Sequence, residues 1–254
     1  SKQFGLDVQE TLEIAQSLYE THKATTYPRS DSGYLPESMH AEAPTVLDSL
    51  LKTDPSLRPI IDQLDRTQHS RAWNDAKVSA HHGIIPTLEP ANLSAMSEKE
   101  LAVYRLIRAH YLAQFLPPHE FDRTTARFSC GDQTLQAVGK HVVVPGWRLV
   151  LAEPQPDDAG DDAAPRSQVL PALHQGLACQ VAGVDLKALK TLPPRPYTQG
   201  ELVKAMKSVA KLVSDPRLKQ KLKDSVGIGT EATRANIIGG LLNRGYLIKK
   251  GRGH

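Results

Sequence analysis

The chain has 254 residues, of which 40% are hydrophobic, 23% charged and 5% aromatic, enough for two or three compact pieces and too apolar for a disordered chain. No apolar run approaches the roughly 20 residues of a membrane helix, the start SKQFGLDVQE lacks the regions of a signal peptide, and Cys130 and Cys179 belong to no CxxC, so membrane, secreted, disulfide-framework and zinc-ribbon readings fall away and a reducing, cytoplasmic setting fits. The net charge of +3 hides an asymmetry: residues 187–254 hold 15 Lys and Arg against 4 Asp and Glu, a balance of +11, and the preceding residues balance at −8, which points to a polyanionic partner such as nucleic acid.

The chain lacks an initiator Met and opens on a helix signal, so it reads as an excised portion of a longer polypeptide. Asp7 and Glu10 have capping-box spacing, and Val8, Leu12, Ala15 and Tyr19 recur as the stripe of an amphipathic helix running to about His22. Residues 25–36, Thr-Thr-Tyr-Pro-Arg-Ser-Asp-Ser-Gly-Tyr-Leu-Pro, carry two prolines and several turn formers that cannot continue a helix, and predict a structured loop. Residues 37–51 and 59–64 read as further helical pieces, and Ser97 with Glu100 forms a second capping box ahead of Tyr104, Ile107, Tyr111 and Phe115. The first helical domain is thus expected over 1–116.

After Pro117-Pro118 the period shortens. Strands are expected over 121–128, 134–138 and 141–151, separated by Gly-Asp and Pro-Gly turns, and again over 169–184. Between them, residues 153–168 form an acidic insert with little to bury, read as a mobile loop or crossover within the β region and most simply a surface insertion, so 117–194 is expected as a β-stranded segment. From 195 helix returns: Thr198 and Glu201 cap a helix with Leu202, Met206, Val209 and Val213 on one face, Thr230 caps another, and Asn243-Arg244-Gly245 ends it before a short strand over 246–248. That order suits a winged helix, and the fold class expected for the whole is multi-domain α+β.

Three segments carry candidate chemistry. Tyr27 is followed two residues later by Arg29, and alternate residues of an extended segment share a face, which would set a guanidinium beside the phenol at a phosphate. A phenol with pKa near 10 is only about 0.1% ionised at neutral pH, so useful nucleophilicity needs cations around the attacked group. Lys77 lies ahead of the adjacent His81 and His82, one of which could bond a phosphate; adjacent histidines seldom share a metal, and no metal site is expected. Gly227 and Gly229 lead into the helix of Thr230, Thr233 and Arg234, a start that exposes N–H groups to phosphate without being a Walker loop. Taken singly, each segment is compatible with an ordinary loop or helix start.

Together, LYETHKATTYPRSDSGYLP (18–36), AWNDAKVSAHHGIIPT (72–87) and GIGTEATRANIIGGLLNRGYL (227–247) resemble the type IA DNA topoisomerases, most closely the bacterial topoisomerase III group, in order and separation. The resemblance implies that Tyr27 is the catalytic nucleophile, forming a 5′-phosphotyrosyl bond with single-stranded DNA. Arg29 and His81 would neutralise the phosphate, and Lys77, His82, Thr233, Arg234 and Arg244 would bind DNA. It implies a helical domain bearing the tyrosine, part of a β-stranded arch, and over 195–254 the start of a winged-helix-like lobe. Family members begin with a Toprim domain that holds Mg²⁺ and an acid/base Glu, and nothing here resembles it. The expected partners are therefore single-stranded DNA and the missing N-terminal Toprim portion, with no membrane, and the isolated fragment is expected to be inactive. A non-catalytic nucleic-acid-binding protein using the basic C-terminal lobe is the alternative. A tyrosine recombinase or replication-initiator nuclease lacks the expected Arg, His or paired-His sets.

Overall fold

In the computed structural model, Asp7 caps the first helix by accepting a hydrogen bond from the Glu10 N–H at 2.9 Å, and α1 runs over Val8–Glu20. The structure describes residues 4–30, 32–78, 80–151, 168–186, 188, 190–191, 193–224 and 227–250. The expected acidic insert lies outside the described residues apart from Gln168.

Short helices follow where the prolines allow them. A 3₁₀ turn over Glu37–Glu42 feeds α2 (Ala43–Thr53), and a second, Pro55–Leu57, feeds α3 (Arg58–Ile61). The longest helix, α4 (Glu98–Leu112), starts in the expected capping box, with Ser97 and Glu100 bonded reciprocally. The apolar faces of these elements meet in a core around Leu18, Leu47, Leu50, Ile61, Trp73, Tyr104 and Phe115, each at most 2% exposed. Arg108, buried beside it, bonds the Asp54 carboxylate at 2.8 Å, and the Ser56 hydroxyl with that guanidinium holds the Asp54 carboxyl below the usual range.

Residues 116–195 form a separate compact unit, and residues 1–115 group with 196–254 in the other. In the smaller unit, β1 (Glu120–Cys130) and β2 (Gln133–Val144) pair antiparallel from Glu120 with Val144 to Cys130 with Gln133, turning through Gly131 at φ +57°. Two long strands thus replace the first two expected and the start of the third. Residues 146–149 form a 3₁₀ turn instead of the rest of that strand, because Gly146 at φ +55° sits where a Cβ would come within 2.3 Å of the Pro117 carbonyl oxygen.

The strand expected over 169–184 is also absent. Only Gln168 pairs, accepting from the Lys140 N–H at 2.9 Å, while Val169, Val181 and Val184 stand exposed outside any strand. β-branched residues favour a strand only when a neighbouring edge takes up the backbone groups.

In the larger unit α5 (Gln199–Lys207) keeps its expected Thr198–Glu201 capping box but ends six residues before Val213; the Ser208 hydroxyl donates to the Lys204 carbonyl and the Ile228 N–H caps Met206. α6 (Pro216–Asp224) and α7 (Glu231–Asn243) follow. The strand expected over 246–248 does not form: Gly245, at φ +74°, reverses the chain so that the Tyr246 and Leu247 N–H groups both donate to the Leu241 carbonyl, closing the helix end. Among the described residues no helix is long and apolar enough to cross a membrane.

Candidate active site

α1 ends in a left-handed turn at Lys23 (φ +51°), which sends the chain into the Tyr27 loop. Buried Ala24 and Thr25 then run antiparallel to residues 85–87. The Thr26 N–H donates to the Ile85 carbonyl at 2.9 Å, the Ile85 N–H donates to the Thr26 hydroxyl oxygen at 3.0 Å, and the Thr87 hydroxyl donates to the Lys23 carbonyl at 2.7 Å. Past the tyrosine the loop is fastened again. Gly83 donates to the Tyr34 carbonyl at 2.7 Å, Leu35 donates to Ala72 at 2.8 Å, and Asn74 donates back to Leu35 at 2.9 Å. Two of the three sequence segments are therefore joined by backbone hydrogen bonds at both ends, and their unpaired middle parts carry the candidate side chains.

Tyr27 is 37% exposed, and Pro28 beside it is buried and anchors the loop. The His81 imidazole stacks on the Tyr27 ring, centroids 4.8 Å apart and planes 28° from parallel. His82 turns elsewhere, with Nδ1 2.7 Å from the Gly83 carbonyl oxygen. The loop thus brings the first histidine of the pair, and not the second, to the phenol. Arg29 is exposed and forms no ion pair among the described residues. Lys77 is exposed too, with Nζ 3.4 Å from the Tyr34 hydroxyl and 4.8 Å from that ring's centroid.

The third segment is built differently. Gly227 (φ +94°) and Gly229 (φ +69°) shape the turn into α7; a Cβ on Gly227 would lie 2.4 Å from the Met206 carbonyl oxygen. Thr233 gives its hydroxyl oxygen to the Thr230 N–H at 2.8 Å, a reciprocal cap. Arg234 is 3% exposed, and its guanidinium donates to Glu231 at 2.7 Å, Gly229 O at 2.9 Å and Ile228 O at 3.0 Å. Those partners engage all three nitrogens of a buried guanidinium, so Arg234 holds the turn and does not reach outward. Arg244 closes α7 and is exposed.

Three neighbours of the site carry no mark in the sequence segments. Tyr19 meets Tyr27 edge to face, centroids 5.6 Å apart; its place in the stripe of α1 reads as core. Thr26 pins the loop, and a hydroxyl beside tyrosine offers no distinguishing signal. Glu100 accepts from the Ser17 hydroxyl at 2.6 Å and from the Ser97 N–H and hydroxyl at 2.8 Å each, and stands 3.3 Å from His22. The Ser17 and Ser97 donors bring its carboxyl down to about 2 and tie the end of α1 to α4.

The profile of the DNA topoisomerase family matches residues 1–254. The chain belongs to the DNA topoisomerase family. It is 39% identical to DNA topoisomerase 3 of Pasteurella multocida (strain Pm70) over 254 residues, covering 99% of this chain and 38% of that protein. With DNA topoisomerase 3 of Vibrio cholerae (serotype O1) it shares 36% identity over 97% of the chain and 37% of that protein. Full-length topoisomerase I from Thermotoga maritima is similar in fold, with a TM-score of 0.61 at 23% identity, over 100% of this chain and 37% of that one. Within the family the chain is type IA and topoisomerase III-like, and it spans well under half the length of these relatives.

Proposed function

We propose that the chain supplies the tyrosine half of a type IA, topoisomerase III-like active site acting on single-stranded DNA. The observation that carries the reading is Tyr27 held in a loop pinned at both ends, with the His81 ring stacked on it and its phenol open to solvent. The phenol oxygen attacks a backbone phosphorus, the new Tyr27–O–P bond replaces the P–O3′ bond, and the proton lost by the phenol is matched by one gained at the departing 3′-oxygen. One phosphodiester is exchanged for another, so a second strand passes and the bond is restored without ATP. Arg29 and His81 face the developing charge on the phosphate oxygens.

Lys77 and Arg244, exposed cations, contact neighbouring phosphates. Thr233, Arg234 and His82 act one step back: the first two hold the start of α7, and His82 fixes the loop by its bond at Gly83. Residues 117–194 serve as part of the arch and 195–254 as the start of a winged-helix-like DNA-binding lobe, in a cytoplasmic protein. Mg²⁺ belongs to the Toprim portion in this reading. Among the described residues no group of three or more His, Cys, Asp or Glu side chains is set to hold a metal ion, so the described residues do not fit Mg²⁺ and no step here passes through it.

The test combines the chain with the remaining N-terminal portion of the polypeptide, Mg²⁺ and a labelled single-stranded oligonucleotide. A covalent adduct that disappears in Tyr27→Phe supports the reading, and the chain alone should not relax supercoiled DNA. Unimpaired oligonucleotide binding with no adduct would favour the non-catalytic docking protein.

A further inference from the structure

Among the described residues the Tyr27 ring has two aromatic neighbours, and one of them, His81, belongs to the paired loops. His81 lies nearly parallel to it; Tyr19 meets it with planes 88° apart, the edge-to-face arrangement favoured by ring quadrupoles. Tyr19 stands on the last turn of α1, two residues past Ser17, whose hydroxyl bonds Glu100 of α4. It is half-buried, whereas Ile14 and Leu18 carry that helix's share of the core. Its hydroxyl has no hydrogen-bond partner among the described residues, and the Lys23 Nζ lies 6.0 Å from its centroid, so its contacts are those of a ring.

We propose that Tyr19 is a positioning residue for the nucleophile, a helix-borne ring that, with His81 on the other contact, confines the Tyr27 phenol to one orientation before DNA arrives. The proposal rests on the reading of Tyr27 as the nucleophile. A side chain more than a third exposed is free to sample other χ1 wells unless something holds it, and attack on phosphorus needs the phenol oxygen aligned. α1 is capped at one end and tied to α4 near the other, so it is a firmer mount than the loop itself. An aromatic pair of this geometry favours the held orientation by about 2- to 12-fold over an aliphatic contact.

The test uses two substitutions: Tyr19→Leu, which keeps an apolar side chain and removes the ring, and Tyr19→Phe, which keeps the ring. In the 254-residue chain, with ring-labelled tyrosine and the Tyr27 signals assigned from Tyr27→Phe, aromatic NMR should show those signals move toward free-tyrosine positions in Tyr19→Leu and stay in Tyr19→Phe. With the N-terminal portion and Mg²⁺ supplied, the rate of adduct formation at saturating oligonucleotide should fall about 2- to 12-fold in Tyr19→Leu, at unchanged half-saturating concentration, and recover in Tyr19→Phe. Unmoved Tyr27 signals overturn the proposal. So does an unchanged adduct rate, or a loss confined to DNA affinity. An unsubstituted protein that forms no adduct defeats the cleavage reading instead, and the NMR comparison still decides whether Tyr19 holds the ring.

Discussion

The Tyr27 loop and the turn into α7 were both expected to meet phosphate, and they treat their charged side chains in opposite ways. In the loop, backbone groups and the uncharged Thr26 and Thr87 hydroxyls make the fastenings, and Tyr27, Arg29, Lys77 and His81 stay exposed. In the turn, side chains make the fastenings: Arg234 is enclosed by Glu231 and two carbonyls, and Thr233 closes a cap. A cation that secures its own backbone is no longer offered to a ligand, so equal content of Gly, Thr and Arg does not mean equal capacity to bind DNA.

The largest expected effect would break that contrast if it failed. Arg234→Ala strands two carbonyls and a carboxylate and should cost about 3 kcal/mol of stability in urea unfolding. Arg29→Ala should stay within about 0.5 kcal/mol of the unsubstituted chain; similar losses for the two would mean that the guanidiniums are not used differently. Next comes the support under the loop. Glu100, with its carboxyl at about 2 in the folded chain against an ordinary 4.5, adds stability that is complete above about pH 4.5 and is lost as the pH falls toward 2. Glu100→Gln should flatten that acid slope in unfolding followed between pH 2 and 5; an unchanged slope would exclude Glu100 as its source.

Binding sharpens the same contrast. Arg29→Ala and Lys77→Ala should each reduce the slope of log affinity against log salt for an oligonucleotide by about 0.7. Arg234→Lys, which keeps the charge but loses the fork of donors, should leave that slope alone in fluorescence anisotropy. The smallest effect is at the turn before the loop: Lys23 occupies a left-handed conformation, and Lys23→Gly should raise stability by about 0.5 kcal/mol in the same urea titration.

The helical part of the fold was legible because its signals are local. The boxes at Ser97–Glu100 and Thr198–Glu201 and the cap at Asp7 each act within one turn, and each forms. Strands depend on a partner that composition does not name: residues 121–144 pair with themselves in a hairpin, while 169–184 have the composition of a strand and do not continue the single bridge that Gln168 makes to β2. At the site, spacing and resemblance pointed to Tyr27, Arg29 and the two histidines. The stacking of His81 and the turning aside of His82 depend on how residues 83–87 pair with 24–34, which no local pattern encodes. Arg234 looked free for the same reason: its partners Ile228 and Gly229 are close in sequence, but only the positive-φ glycines bend their carbonyls toward it. Tyr19 was hidden by its regular place in a helical stripe.

The central claim, that one loop phenol becomes bonded to DNA, is tested most directly by protease digestion of the trapped adduct and mass measurement of the nucleotide-bearing peptide. The account predicts a peptide that contains Tyr27, carrying DNA through a 5′-phosphate on that side chain. Nucleotide found on another residue, or a protein that binds the oligonucleotide and yields no modified peptide, would contradict it.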